Sequence, residues 1–331
     1  MLSEHLLRHL NDVEQLLCQP INRWEGFDLG VPEGSIGSLC DQILYTSWAA
    51  SAMGLHTEAT PDQRARATKS LLAAIDRLIQ RRVWAHWANA AERAGENPDP
   101  IATGNIPFAG ALATMLGLAA ALGVQTAQTP LLTLRWSHDT VYSYTHPQIL
   151  ATLAAQMRVE QGGAIATLDK TTSPSAMALV LWGLRLGAAN FDPEQALVGE
   201  RWIETVREKL ALSGPRIAGR GALAATYHIE RRRGGLWSNP LEDAVALTLM
   251  APLEPDLVRG LAPRHWTTVS RSNTAESILV LAFSTLLATE LNESERATQL
   301  SAALEAHPKC NLPLPRALIA LTAAGGLAKA L

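Results

Sequence analysis

Charged and aromatic residues are both scarce in this sequence. Only 18% of the 331 residues are charged and 5% are aromatic, whereas 47% are apolar. Soluble domains usually carry about 25% charged residues. The composition excludes intrinsic disorder, because disordered chains combine low hydrophobicity with high net charge. The formal net charge of −3 also argues against a nucleic acid or an anionic membrane as a partner.

Cysteines are few as well. Cys18, Cys40 and Cys310 lie far apart, and neither a CxxC pair nor a Cys/His zinc spacing is present. We therefore expect neither a disulfide framework nor a bound metal. The N-terminus lacks the basic start and apolar run of a signal peptide, and no apolar stretch reaches the roughly 20 residues of a membrane span. Together these absences predict a cytoplasmic protein without a membrane partner.

Common catalytic motifs are also missing. The sequence contains no GxxxxGK[ST] phosphate loop, no GxSxG, no HExxH and no GxGxxG after a strand. Ordinary nucleotide-binding enzymes, serine hydrolases and zinc proteases therefore have no support.

Helical periodicity, in contrast, extends along nearly the whole chain. Apolar residues recur at i, i+3, i+4 and i+7 after Ser3, and Thr60-Pro61 combines a capping residue with proline at a helix start. Further helices are predicted at 35–53, 81–94, 105–122, near 130–142, 147–160, 174–187, 192–212, 240–250, 272–291, 293–306 and 314–330. With the two helices that begin at Ser3 and Thr60, the total is about twelve. Residues 222–229, followed by RRRGG at 231–235, predict a small β-hairpin.

About twelve helices without an internal linker predict an all-α fold. We expect one (α/α)6 barrel domain over residues 1–331, a toroid of helical hairpins that carries the small β-hairpin. The absence of βαβ alternation excludes a doubly wound sheet and a TIM barrel. An α-solenoid is the alternative, although solenoids usually have tighter repeats.

Three short motifs make one region distinctive: VWAHW at 83–87, NPDPI at 97–101 and GNIPFAGAL at 104–112. This succession resembles the linalool dehydratase/isomerase family. Looser matches follow in order at 181–182, 227–228, Trp237 and 247–250. The resemblance implies an (α/α)6 barrel with a central pocket, often oligomeric, that performs acid/base chemistry on an alcohol or alkene without a cofactor. It therefore implies a small-molecule substrate and a homo-oligomer.

The family's own catalytic groups are largely replaced. Its catalytic histidine corresponds to Ala111 here, and its two pocket cysteines correspond to Ala164 and Ser173. Two pocket tyrosines of the family fall on Asp41 and Glu242. The acid that the family carries in its first loop has no counterpart near residues 16–19.

Asp41 and Glu242 are also notable for their sequence surroundings. Asp41 belongs to an otherwise uncharged helix, and Glu242 precedes an apolar run that extends to 252. Carboxyl groups in a dry pocket have raised pKa values, and two in unlike surroundings can divide the acid and base roles. The structural alternatives are a solvated helix face for Asp41 and a favourable charge in the first turn of a helix for Glu242.

The segment WSHDTVYSYTH at 136–146 is the densest polar and aromatic cluster. On the predicted helix His138 and Tyr142 share one face, so His138 is a third candidate catalytic residue, a base. A helix end packed with hydrogen-bonded aromatic rings is the structural alternative.

Ten further residues are predicted to bind substrate. The tryptophans would form an apolar wall that stabilises developing positive charge through their ring faces, or would be ordinary core residues. The loop at 169–173 and the predicted hairpin would supply polar contacts, or would be exposed. The set is Trp24, Tyr45, Trp48, Asn105, Phe108, Lys170, Ser173, Tyr227, His228 and Trp237.

Three functions remain open on the sequence. The first is a lyase, isomerase or intramolecular cyclase of specialised, terpenoid or polyketide-like metabolism, in which one carboxyl group donates a proton and a second group removes one. Replacement of the family's neutral groups by acids suggests a substrate more polar than a monoterpene alcohol. The second is a carbohydrate-active toroid with paired carboxylates in an open cleft. The third is a binding or scaffold protein that kept the barrel without catalysis.

Overall fold

Helices dominate the structure. The computed structural model describes residues 1–125, 132–212, 221–271 and 278–330. Within those ranges twelve α-helices are 11 to 18 residues long and two are shorter. They are α1 (Glu4–Leu17), α2 (Leu39–Leu55), α3 (Pro61–Leu78), α4 (Arg81–Arg93), α5 (Ile106–Ala121), α6 (His146–Val159), α7 (Pro174–Ala188), α8 (Glu194–Leu197), α9 (Glu200–Thr205), α10 (Pro240–Met250), α11 (Pro255–Arg271), α12 (Ile278–Glu290), α13 (Ser294–Glu305) and α14 (Pro313–Ala323). The predicted mostly helical fold is confirmed.

In the part of the chain that the structure describes, five short strands accompany the helices. β1 (Leu132–Arg135) pairs antiparallel with β2 (Val141–Tyr144). β4 (Tyr227–His228) lies between β3 (Thr171–Thr172) and β5 (Arg233–Gly234) in a second small antiparallel sheet. The hairpin predicted at 222–235 is therefore present, with shorter arms and a third strand from the 167–173 loop.

Local side-chain hydrogen bonds explain where several helices begin. Ser3 accepts a hydrogen bond from the Leu6 amide at the start of α1, and Thr60 and Gln63 form a reciprocal capping box at α3. Ser173 and Asn239 accept from backbone amides at the starts of α7 and α10. Each cap satisfies amide groups that have no partner within the helix.

Six helices contact one another in a closed cycle. α2 packs against α5, α5 against α7, α7 against α10, α10 against α12, α12 against α14, and α14 returns to α2. Five of the six are buried around almost their whole circumference, namely α2, α5, α7, α10 and α12. Such burial is typical of helices at the centre of a protein. The amphipathic helices α1, α3 and α11 pack against members of this cycle, and α13 packs against α12.

Small residues and buried hydroxyl groups bring the central helices together. A Cβ atom on Gly183 of α7 would lie 2.5 Å from the Cβ atom of Ala113 in α5, so only glycine permits this approach. The Thr114 hydroxyl donates to the Leu179 carbonyl, and the Trp182 indole donates to the Leu249 carbonyl. These bonds fix the relative heights of α5, α7 and α10, whose N-termini carry the site described below.

Two helix predictions need correction, and one helix was not predicted. In place of the helix predicted near 130–142, residues 132–144 form the β1–β2 hairpin, because Leu132 and Leu134 alternate with polar residues; positions 130 and 131 lie outside the described residues. The helix predicted at 192–212 is divided into α8, α9 and a π-helical turn at Val206–Leu210. α11 was not predicted, because Pro263 interrupts its pattern. The first six residues of the helix predicted at 272–291 lie outside the described residues.

In the described ranges, no helix combines the length and the apolar character needed to cross a bilayer.

A buried arginine fixes the loop that follows α1. The Arg77 side chain of α3 is fully buried and donates hydrogen bonds to the carbonyl groups of Leu17, Gln19, Pro20 and Arg23. Its guanidinium also lies 5.2 Å from the ring centre of Trp24 and 5.9 Å from that of Phe27. One side chain of α3 thereby determines how the chain leaves α1 and approaches α2.

Candidate active site

A cavity of about 250 Å³ lies where the N-terminal ends of α2, α5, α7 and α10 meet. Its wall combines apolar side chains such as Phe108, Leu179 and Val245 with a group of polar ones. The polar lining residues include Glu33, Ser38, Cys40, Asp41, Tyr45, His86, Asn105, Ser173, Ser175 and Glu242. Three carboxyl groups therefore face one small, partly apolar space.

Glu242 is held rigidly at the start of α10. Its Oε1 atom accepts a hydrogen bond from the Ser175 amide and its Oε2 atom accepts one from the Ser175 hydroxyl, both at 2.8 Å. Ser173 Oγ lies 3.1 Å from Ser175 Oγ and extends this network. Burial raises the pKa of the Glu242 carboxyl, and the hydrogen bonds from Ser175 and Ser173 oppose that rise. Among the three acids, Glu242 has the most hydrogen-bond support for the ionised form.

Asp41 lies in the first turn of α2 and has less support. Its Oδ2 atom accepts one hydrogen bond, from the Gly37 amide at 2.7 Å. Burial raises the pKa of Asp41 to about 7, opposed by the Gly37 bond and increased further by the negative charge of Glu242. One turn along α2, burial and the charges of Asp41 and Glu242 raise the pKa of the Tyr45 phenol. At neutral pH Asp41 is thus present in both protonation states.

Glu33 enters the cavity from the loop between α1 and α2. Its buried Oε2 atom has no hydrogen-bond partner among the described residues. Burial and the charge of Asp41 raise the pKa of Glu33 to about 7, while Arg82 acts in the opposite direction. Sequence reasoning missed Glu33, because the acid expected in the first loop was sought near residues 16–19.

Asn105 and Cys40 complete the polar wall. Asn105 is only 5% exposed, and its Nδ2 atom has no partner among the described residues. Burial raises the pKa of the Cys40 thiol, with the charges of Asp41 and Glu33 adding to the effect, so the thiol stays neutral. The cavity therefore offers an unused amide donor and an unused carboxyl acceptor.

The structure brings six of the thirteen predicted site residues together in this cavity. They are Asp41, Tyr45, Asn105, Phe108, Ser173 and Glu242. Ser175, which was not predicted, supplies both hydrogen bonds to Glu242. The serine was recognisable only as the second residue of a helix after a capping serine, a position that gives no hint of its partner in α10.

His138 lies elsewhere. It is exposed in the turn between β1 and β2 and contacts Asp139, with 2.8 Å between Nδ1 and Oδ1. The shared helical face of His138 and Tyr142 does not exist, because Tyr142 belongs to β2. Tyr142 and Tyr144 instead donate hydrogen bonds to Asn97 and Asp99, which attach the hairpin to the loop before α5. The predicted placement of His138 beside Tyr142 on a helix is wrong.

Three predicted tryptophans also lie outside the cavity lining. Trp24 is half-buried and packs against Phe27 and Arg77. Trp48 is fully buried, edge-to-face with Trp182 at 4.7 Å, and forms part of the core behind Tyr45. Trp237 is 71% exposed before α10. Only Trp48 therefore supports the cavity, and it does so through Tyr45.

The remaining predicted residues belong to the small sheet and its turns. Lys170 is exposed in a turn with a positive φ of 57°, and its carbonyl accepts from the Ile229 amide. Tyr227 is buried against Trp202, and His228 pairs with Thr171 and Arg233 in the sheet. None of Lys170, Tyr227 and His228 lines the cavity.

Asp243 has a different task from its neighbour Glu242. Its two carboxyl oxygens accept hydrogen bonds from the Ala222 amide at 2.6 Å and the Leu223 amide at 3.0 Å. Burial raises the pKa of Asp243 to about 7, in spite of these bonds. Asp243 therefore anchors the chain before β4, whereas Glu242 faces the cavity.

The model of the linalool dehydratase/isomerase family matches residues 42–166. This match confirms the resemblance carried by the motifs at 83–112. The matched segment contains Tyr45, His86, Asn105 and Phe108, whereas Asp41 lies just before it and Glu242 beyond it. No curated protein matches the chain.

The raised pKa of Asp41 predicts a pH-dependent effect of the Asp41→Asn substitution on stability. Between about pH 4 and 7 the folded state retains a proton on Asp41 that the unfolded chain releases, so wild-type stability from this group is lost as the pH rises. Asparagine does not titrate. Relative to wild type, Asp41→Asn should therefore gain unfolding free energy as the pH rises from about 5 to 8.

Urea denaturation of both proteins at several pH values measures this difference. Comparing variant with wild type cancels the contributions of Asp243, Glu290, His146 and His265, whose pKa values are also shifted by burial. Glu58→Gln, at an exposed site, is the control and should show no trend. A difference between Asp41→Asn and wild type that stays constant with pH would contradict the assignment.

Proposed function

We propose that the chain is a lyase or isomerase that removes water from a small alcohol, or rearranges or cyclises it, by cofactor-independent acid/base chemistry. The observation that carries the proposal is the set of three carboxyl groups around one small cavity, two of them with pKa values raised to about 7. The similarity to the linalool dehydratase/isomerase family over residues 42–166 supports the same reaction class. The proposal includes a role for this reaction in specialised metabolism.

The unequal surroundings of the acids suggest their roles. A general acid works best when its pKa lies near the operating pH, as for Asp41 and Glu33. In the proposed reaction Asp41 protonates the substrate hydroxyl, the C–O bond breaks, and water leaves. The Glu242 carboxylate, which accepts two hydrogen bonds from Ser175, stabilises the resulting carbocation and accepts a proton from the adjacent carbon as the double bond forms. After the reaction Glu242 holds the proton taken from the carbon, and Asp41 has lost the one it donated. Proton exchange among the carboxyl groups restores the starting protonation states.

The closed cycle of helices fits the same proposal. We propose that α2, α5, α7, α10, α12 and α14 are the inner layer of an (α/α)6 barrel within a single domain. In that arrangement the inner helices begin at one end of the barrel, and four of the six N-termini contribute to the cavity. A homo-oligomer remains part of the proposal.

The two alternative functions find less support in the cavity. A carbohydrate-active toroid needs paired carboxylates exposed along a cleft, whereas Glu242 is only 7% exposed and the cavity measures about 250 Å³. A scaffold protein would fill the cavity or line it without convergent polar groups. Three acids, four serines and an amide without a partner among the described residues converge here instead.

The reaction can be tested in deuterated water. Purified protein would be incubated with a panel of small allylic alcohols, including linalool and amine-bearing alcohols, and the products analysed by gas chromatography and mass spectrometry. We expect an alkene or a rearranged alcohol, with deuterium bound to carbon where an alkene is reprotonated. The Asp41→Asn, Glu242→Gln double variant is the control. Product at the same rate from that control, or none from wild type across the panel, would contradict the proposal.

A further inference from the structure

The acids of the cavity have no cationic side chain among the described lining residues, and Arg82, which lowers the pKa of Glu33, lies outside the lining. The acids are Glu33, Asp41 and Glu242. His86, the one imidazole in the lining, has a pKa lowered by burial and is neutral at neutral pH. The carboxyl groups therefore repel one another, which is why the charge of Glu242 raises the pKa of Asp41 and the charge of Asp41 raises that of Glu33.

Two polar atoms at the cavity lack partners among the described residues. Asn105 Nδ2 is a hydrogen-bond donor on a side chain that is 95% buried, and Glu33 Oε2 is a buried acceptor. A buried polar group without a partner costs free energy. A ligand that forms hydrogen bonds with both atoms therefore gains more binding free energy than it would from the same bonds to solvated groups. Such a ligand presents an oxygen to Asn105 and a donor to Glu33.

The rest of the wall suits an organic cation. The rings of Tyr45 and Phe108 line the cavity, and aromatic faces attract cations. Leu179 and Val245 provide apolar surface for a hydrocarbon body. An organic cation is favoured over a metal ion because, among the described residues, no three His, Cys, Asp or Glu side chains are arranged to hold a metal.

We propose that the cavity binds a small primary or secondary ammonium compound that also carries a hydroxyl group, and that such amino alcohols are the substrate class of this site. The ammonium donates to Glu33 and offsets the charges of Glu33 and Glu242, while the hydroxyl oxygen accepts from Asn105. A neutral diol can also satisfy both atoms, because a hydroxyl group donates as well as accepts, but it leaves the charge of the acids unbalanced. The assignment of substrate, though not of binding, rests on the proposed function.

A matched pair of probes isolates the charge. trans-4-Aminocyclohexanol and trans-1,4-cyclohexanediol have similar size and shape but differ by an ammonium in place of one hydroxyl. Isothermal titration calorimetry at about pH 7.5, above the pKa of about 7 of Glu33, compares their dissociation constants. We expect the amino alcohol to bind at least about tenfold more tightly, as hydrogen bonds to charged groups imply.

Variants locate the effect within the cavity. Glu33→Gln should reduce the preference for the ammonium several-fold, whereas the exposed Glu58→Gln should leave it unchanged. Asn105→Ala should weaken both probes by a similar factor, because both present a hydroxyl group. Equal or tighter binding of the diol, or no binding of either probe to the wild-type protein, would overturn the inference.

The binding experiment and the activity assay can fail separately. Preferred binding of the ammonium without conversion of any alcohol would contradict the proposed function and leave the binding site intact. Conversion of neutral alcohols by a protein that prefers the diol would contradict the ammonium site and leave the proposed reaction intact.

Discussion

Asp41→Asn and Glu242→Gln should each lower turnover by about 10²–10⁴-fold while the protein stays folded, because each removes one proton transfer from the proposed reaction. Asparagine can still accept the Gly37 amide hydrogen bond, and glutamine can still accept from the Ser175 amide. The Ser175 hydroxyl can rotate to accept from the new amide group. We therefore expect both variants to fold normally and to lose kcat. Circular dichroism would check that they are folded.

The pH dependence of turnover distinguishes the two carboxyl groups. Asp41 donates its proton in the proposed reaction, so wild-type kcat should fall as the pH rises above about 7. Glu242→Gln should keep this decline at a lower overall rate and shift it to lower pH, because the charge that raises the pKa of Asp41 is gone. Asp41→Asn should lose the decline or leave only the weaker dependence that Glu33 provides. Glu58→Gln is the matched control for loss of one exposed acid. Near-wild-type rates in either cavity variant would remove that residue from the mechanism.

Asp41 and Glu242 could be found from the sequence because acids are rare on apolar helices of this chain. The family resemblance placed both at pocket positions, and each side chain lies in the first turn of a helix whose remaining turns are buried. The motif at 104–112 placed Asn105 and Phe108 there in the same way. For these residues the pattern of the sequence and the burial found in the structure both point to the cavity.

Glu33 and Ser175 could not be found in this manner. Glu33 reaches the cavity only because the long loop between α1 and α2 folds back over α2, and no periodicity describes a loop. Ser175 acts through a partner 67 residues away. The misplacement of His138 has a related cause, since an eleven-residue run of polar and aromatic residues fits a helix and a hairpin equally well until its contacts with Asn97 and Asp99 are known.

Arg77→Met should lower the free energy of unfolding by about 3–5 kcal/mol, because a buried charged side chain with several hydrogen bonds is lost and its partners stay buried. Four carbonyl groups in the segment 17–23 would lose their donor, and methionine can pack against Trp24 and Phe27 without replacing it. Urea denaturation followed by far-UV circular dichroism measures the change.

Arg77→Lys provides the graded comparison should the methionine variant fold poorly. Lysine keeps the charge, but its single ammonium cannot span the carbonyl groups that the guanidinium joins, so an intermediate loss of about 1–3 kcal/mol is expected. Lys69→Met on the same helix is the control and should change stability by less than about 1 kcal/mol, because the Lys69 side chain is 69% exposed. Since the loop anchored by Arg77 continues to Glu33, the lysine variant should also weaken amino alcohol binding. Stability of Arg77→Met equal to that of Lys69→Met would contradict the anchoring role, and with it the argument that this loop places Glu33 at the cavity.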